Sequence, residues 1–185
     1  MAVEARPRTA VEVQNPTSAR RAPVTSDDVW RAVTKASFAY VAHVTPSGEP
    51  RVSGVAVGTV GRKLYIVVAP DSWKARHLAA SGRAAVVVPV RRGGILSLFL
   101  PLPPATISFS AKAAVRPAGL VSEADGLPKG LISSLPAERK SLAQVIELAP
   151  EGDFLTYGLG VSLMEMMRPS IAQARVPVKA DPRGS

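Results

Sequence analysis

The sequence predicts a mainly β protein: an antiparallel barrel, closed or nearly closed, of six or seven short strands with a few short helices. Three observations point there. Short runs rich in Val, Ile, Ala and aromatic residues recur along the chain. Pro, Gly and Ser turn chemistry separates them. No strand–helix–strand alternation and no glycine-rich phosphate loop is present, which disfavours a doubly wound fold.

Residues 1–24 carry Pro7, Pro16 and Pro23 without periodicity and read as a mobile arm. Thr25-Ser26-Asp27-Asp28 then caps a short helix to about Ser37, with Val29, Trp30 and Val33 on one face. Phe38–Val44 and Arg51–Val60 form a hairpin about the turn Thr45-Pro46-Ser47-Gly48-Glu49-Pro50. Gly61-Arg62 turns into a third run, Lys63–Ala69. Asp71 or Ser72 caps a helix that ends at Ser81-Gly82. Ala84–Val90 and Thr106–Val115 are further strands, and Ile95–Leu102 between them is an apolar loop. Residues 121–142 read as helical, broken at Pro128 and Pro136. Ala143–Leu148 and Phe154–Leu163 are the last strands, the second loosened by Gly158 and Gly160, with Glu151 and Asp153 flanking Gly152 in the turn between them. The expected organisation is an arm at 1–24, one domain at 25–178 and a tail at 179–185.

At 185 residues and 46% hydrophobic content the chain can bury a core, and with 5% aromatics that core rests on Val, Ala, Leu and Ile. It has no cysteine, which excludes disulfides and thiolate chemistry. No signal-peptide core and no membrane-length apolar run is present, so a soluble cytoplasmic protein is expected. Of the net charge of +9, most lies in residues 51–92, which hold eight cations and the single acid Asp71. A local excess of that kind serves a phosphorylated small molecule, a nucleic acid or solubility alone. Few aromatics for base stacking and no recognition motif argue against nucleic acid.

Catalytic signatures are sparse. His43 and His77 are the only histidines, and no cysteine completes a zinc site. His43, in a strand, reads as a satisfied structural residue, and His77, on the short helix, as a surface one. No Gly-x-Ser-x-Gly elbow and no carboxylate pair stands out. The informative stretch is Asp71-Ser72-Trp73-Lys74-Ala75-Arg76-His77-Leu78. Lys74 and Arg76 fall in the first turns of a helix, where cations oppose the dipole. An anion bound there, a phosphate above all, reconciles them with backbone N–H groups. Arg51 and Ser53 share one face of the neighbouring strand and can complete the site.

The segment from Tyr40 to Ser53 with Ser47-Gly48-Glu49-Pro50 at its turn, the strand to Ala69, Ser72-Trp73-Lys74-Ala75-Arg76-His77-Leu78, and Gly82-Arg83-Ala84-Ala85-Val86-Val87-Val88 follow one another in order. Together they resemble the pyridoxamine phosphate oxidase-like flavin-binding split-barrel superfamily over residues 26 to about 117. Ala174-Arg175-Val176-Pro177-Val178 is similar to that family's ending. The resemblance implies a six- to seven-stranded antiparallel split β-barrel and a homodimer, with FMN or a deazaflavin coenzyme at the subunit interface. It implies that Arg51, Val52 and Ser53 line the cofactor on one strand and Val67 and Val68 on the next. It further implies that Ser72 and Lys74 hold its phosphate, with Trp73 also among the cofactor-binding residues. Arg76 resembles the deazaflavin-using branch, and Thr106 falls near the ring. Val68 stands where FMN users often carry a hydroxyl, and the C-terminal Arg-x-His pair that holds pyridoxal phosphate has no counterpart. Vitamin-B6 oxidation is therefore not expected. The expected function is a flavin or deazaflavin oxidoreductase of an unidentified small substrate. A non-catalytic split-barrel protein binding flavin or an apolar ligand is the alternative. Neither a membrane nor a nucleic-acid partner is expected.

Overall fold

The computed structural model describes residues 23–91, 103–122, 126–133, 135–137 and 142–178. The arm up to residue 22, the apolar loop at 95–102 and the tail at 179–185 lie outside the described residues. Val24, assigned to the arm by sequence, is half-buried against the core.

Helix α1 (Ser26–Thr34) starts as its sequence dictates. Thr25 Oγ1 accepts from the Asp28 N–H at 3.2 Å, and Asp28 Oδ2 accepts from the Thr25 N–H at 3.0 Å. That reciprocal cap leaves Val29, Trp30 and Val33 buried on the barrel. The strands are β1 (Phe38–Val44), β2 (Pro50–Ala56), β3 (Gly58–Val60), β4 (Lys63–Val68), β5 (Arg83–Val90), β6 (Ala105–Val115), β7 (Gln144–Tyr157) and β8 (Gln173–Pro177). Helix α2 (Trp73–Ser81) links β4 to β5, and α3 (Lys129–Ser133) precedes β7. Two single turns, α4 (Leu163–Met166) and α5 (Pro169–Ala172), lead to β8.

All pairings are antiparallel, in the order β2-β1-β5-β6-β7-β4-β3, with β8 added to β7. Only Val57 separates β2 from β3, yet β2 pairs with β1 and β3 with β4 at opposite ends of that order. The run read as one strand over 51–60 therefore bends at Val57 and joins the two ends of the sheet. The sheet curls into a barrel, split where β2 and β4 diverge without hydrogen bonds between them. Its interior is aliphatic apart from one aromatic stack. The Phe154 ring meets Trp30 edge-on at 5.5 Å and Phe109 at 5.3 Å. A second, smaller cluster of Tyr65, Val121, Leu127, Leu131, Ile132, Ala143 and Val145 joins α3 to β4 and β7.

Three expectations are corrected. Over 121–142, helix among the described residues covers only Lys129–Ser133 and Ala137. Pro128 does not break that helix but starts it: its carbonyl accepts from the N–H groups of Leu131 and Ile132. The two final strands are one, β7, because the residues around Gly152 form a bulge opposite Phe109 instead of a turn. That strand ends at Tyr157 rather than Leu163, and Gly158 and Gly160, both at positive φ, follow it. With β8 the sheet has eight strands, one more than the upper expectation.

Close approach of α3 to the barrel depends on Gly58. A Cβ there would lie 2.5 Å from Pro128 Cγ and 3.2 Å from Leu131 Cβ. Gly58→Ala is expected to destabilise the protein by about 1–3 kcal/mol through overpacking. Urea denaturation checks this; an unchanged midpoint would show that α3 moves aside freely.

Candidate functional site

Helix α2 is fixed at both ends. Ser72 Oγ accepts from the Ala75 N–H at 3.2 Å, and Gly82, at φ 63°, closes the C-terminus with its N–H on the Leu78 carbonyl. Of the two candidate caps the structure selects Ser72. Asp71 instead adopts a left-handed conformation, φ 51°, which Asp tolerates better than most residues. Its N–H donates to Gln144 Oε1 at 2.9 Å and ties the turn to β7. Ala75 and Leu78 face the core.

That placement sets the start of α2 across the split in the barrel. A cleft of about 300 Å³ lies there, lined by Gly54, Val55 and Ala56 of β2, Val67 and Val68 of β4 with Ala69, and Ser72, Trp73 and Lys74. Lys74 is half-buried, and burial pulls its ammonium pKa below the usual lysine range. Its Nζ lies 5.7 Å from the Trp73 ring centroid. Among the described residues no carboxylate pairs with Lys74, and no carbonyl accepts the N–H groups of Trp73 or Lys74.

The other expected site residues divide. Val67, Val68, Ser72, Trp73 and Lys74 come together in the cleft. On β2 the lining falls at Gly54–Ala56, so Ser53, with its Oγ buried and unpartnered, sits just before it. Val52 points outward and is 66% exposed. Arg51 lies instead on a second hollow, with Trp73 as the shared wall. Arg76 is exposed and lines neither, because residues two apart on a helix point in different directions. Thr106 lies on β6 between Pro89 and Tyr157 and lines neither.

Folding also redistributes the basic stretch. Glu49, Asp27 and Glu147, all outside it in sequence, pair with Arg51 at 2.7 Å, Arg62 at 3.0 Å and Lys63 at 2.7 Å. Lys74, Arg76, Arg83 and Arg91 keep no carboxylate partner among the described residues.

The histidines are the feature that the sequence does not reveal. His43 on β1 and His77 on α2 meet, Nε2 to Nδ1, at 3.2 Å, with the Trp73 ring 5.3 Å from His43 and 5.8 Å from His77 between centroids. His43 is 4% exposed, and its Nδ1 has no partner, so it is not the satisfied residue expected. His77 is half-buried rather than exposed. Burial chiefly, with the nearby His77 and Lys74 charges, holds the His43 pKa below 6.5. The unfolded chain protonates this imidazole near 6.5 and the folded chain only at lower pH. Its contribution is thus fully present above that value and is lost as pH falls toward the folded-state pKa. Thermal melts from pH 7 to 5.5 are expected to lose stability more steeply in the wild type than in His43→Leu. Parallel slopes would show that the imidazole titrates alike in both states.

No family model matches the chain, and no curated protein matches it in sequence. Solved structures do match, and their common class is the pyridoxamine phosphate oxidase-like split barrel, which is the fold of this chain. A heme binding protein from Mycobacterium smegmatis matches at TM-score 0.60 and 16% identity, over 86% of this chain and 60% of that one. A FAD-binding protein from Mesorhizobium loti matches at TM-score 0.52 and 15% identity, over 68% and 88%. An F420 reductase matches at TM-score 0.50 and 17% identity, over 67% and 93%. At such identities the likeness concerns the fold. No helix among the described residues is long and apolar enough to cross a membrane.

Proposed function

We propose that this protein is a flavin-type oxidoreductase that holds the phosphate of FMN, or of a deazaflavin coenzyme, at the start of α2. One observation carries the reading: Lys74, half-buried, has no carboxylate among the described residues and stands with the N–H groups of Trp73 and Lys74, which no described carbonyl accepts, at the cleft in the split barrel. A desolvated cation beside open backbone donors is chemistry for a dianion. Val55, Val67 and Val68 give the same cleft an apolar wall. FAD binding in one split-barrel neighbour and F420 reduction in another favour the same ligand class. When bound, the cofactor supplies the redox chemistry, so the chain needs no triad of its own.

The cofactor site is completed by a second copy. At about 300 Å³ the cleft is at the bottom of the range for small-molecule sites, about 300–1,000 Å³. Beside it, the outer face of β1 and β2 exposes Phe38, Tyr40, Val44 and Val52 at 41, 46, 47 and 66%. Such a patch favours burial against a partner. No nucleic acid or membrane enters this reading, since ion pairs with Glu49, Asp27 and Glu147 break up the basic stretch. Visible absorption after FMN or deazaflavin titration, with light scattering at micromolar concentration, tests it. Stoichiometric uptake by a dimer is the expected result; a monomer that takes up neither cofactor would refute it.

A further inference from the structure

We propose that the hollow on the far side of Trp73 is a subsite for the oxyanion, carboxylate or phosphate, of an organic ligand, received by His77 and Arg51. That this ligand is the substrate rests on the cofactor reading above; the binding chemistry does not. The hollow measures about 620 Å³ and is lined by Thr45, Pro46, Ser47, Arg51, Trp73 and His77. It adjoins the cofactor cleft, with Trp73 in both walls.

The chemistry of the hollow follows from the histidine pair. His43 is only 4% exposed, and its Nδ1 meets no acceptor. A proton on that nitrogen would be an orphaned buried donor, the costlier of the two arrangements. The proton therefore sits on Nε2 and is donated to His77 Nδ1, 3.2 Å away. His77, accepting at Nδ1, carries its own proton on Nε2. That N–H is the remaining polar group of the ring, on the residue that lines the hollow.

Arg51 adds further donors. One nitrogen bonds Glu49 Oε2 at 2.7 Å, and the guanidinium has other N–H groups to offer. The two hydroxyls present are engaged in the turn: Thr45 Oγ1 and Ser47 Oγ lie 2.8 Å apart, and Thr45 Oγ1 also accepts from the Glu49 N–H at 3.0 Å. The hollow thus offers donors without a free imidazole lone pair. It suits an oxyanion, and it does not suit a metal ion or a heme iron. The face of Trp73 favours a planar body behind the anion.

Calorimetric titration of benzoate, phenyl phosphate and neutral benzamide tests this. At least one anion is expected to bind about tenfold tighter than benzamide, and His77→Phe and Arg51→Ala are each expected to lose about tenfold. His77→Gln, which keeps an N–H donor, should retain most of the affinity, and Arg51→Ala, at an exposed site, stays informative if His77→Phe fails to fold. Preference for benzoate assigns a carboxylate ligand, and preference for phenyl phosphate a phosphate. Benzamide binding as tightly as both anions would overturn the subsite. So would anion binding that Lys74→Ala abolishes and Arg51→Ala leaves intact, since the anion would then sit in the cofactor cleft. FMN uptake without this anion preference overturns the subsite alone; anion preference without FMN or deazaflavin uptake overturns the cofactor reading alone.

Discussion

Lys74→Ala is expected to weaken the proposed binding of FMN, or of a deazaflavin coenzyme, on the order of 10- to 100-fold, and to leave the protein folded. The magnitude follows from one lost charge-assisted contact, roughly 1.5–3 kcal/mol, at about 1.4 kcal/mol per factor of ten. The fold is expected to survive because Lys74 has no ion pair among the described residues to lose and its helix is held by Ser72, Ala75, Leu78 and Gly82. Arg76→Ala is the informative companion. From sequence, both cations are expected to hold the phosphate, but only Lys74 lines the cleft. Arg76→Ala should therefore bind cofactor nearly as the wild type does. Fluorescence titration of the two variants decides it. Equal affinity in Lys74→Ala and the wild type would reduce the cation to a solvated group.

Phe154→Ala is the substitution expected to cost most in stability. Phe154 is fully buried and stands edge-on to Trp30 and Phe109, so its ring joins the helix α1 lid to β6. Truncating a buried Phe costs about 3–5 kcal/mol through lost burial and the cavity left behind. Domains of this kind hold only about 5–15 kcal/mol in total. A fall in melting temperature of about 6–20 °C follows, at roughly 2–4 °C per kcal/mol for this chain length. A shift of under about 2 °C, less than one kcal/mol on that scale, would mean that the barrel end repacks around the gap.

Much of this fold is legible in local sequence because local chemistry decides it. The Thr25/Asp28 cap, the Ser72 and Gly82 ends of α2, and the Thr45–Glu49 turn, where the Thr45 N–H meets the Glu49 carbonyl, all rest on residues close in the chain. What local pattern hides is pairing. Strand β7 reads as two because Pro150 and Gly152 interrupt it, and only its partner β6 shows that the interruption is a bulge. Strand β8 is five residues long with Val176 its one buried residue, so alternation gives it no signal; backbone pairing to β7 creates it.

The site divides along the same line. Ser72, Trp73 and Lys74 are legible as a capped helix start carrying a cation, and Val67 and Val68 reach the same cleft from β4. The separation of Lys74 from Arg76 follows from helix geometry alone, since residues two apart do not share a face. The histidine pair does not, because 34 positions separate His43 from His77 and only the packing of α2 on β1 joins them. A lone histidine in an apolar strand gives no hint of its partner.

The most direct measurement compares each cofactor with its phosphate-free form: FMN against riboflavin, and the deazaflavin coenzyme against its dephosphorylated counterpart. If the phosphate is held by Lys74 and the start of α2, removing it from the ligand should weaken binding on the order of 10- to 100-fold in the wild type. The same removal should make little difference in Lys74→Ala. Wild-type protein that binds the phosphorylated and phosphate-free forms equally, or binds neither, would contradict the assignment.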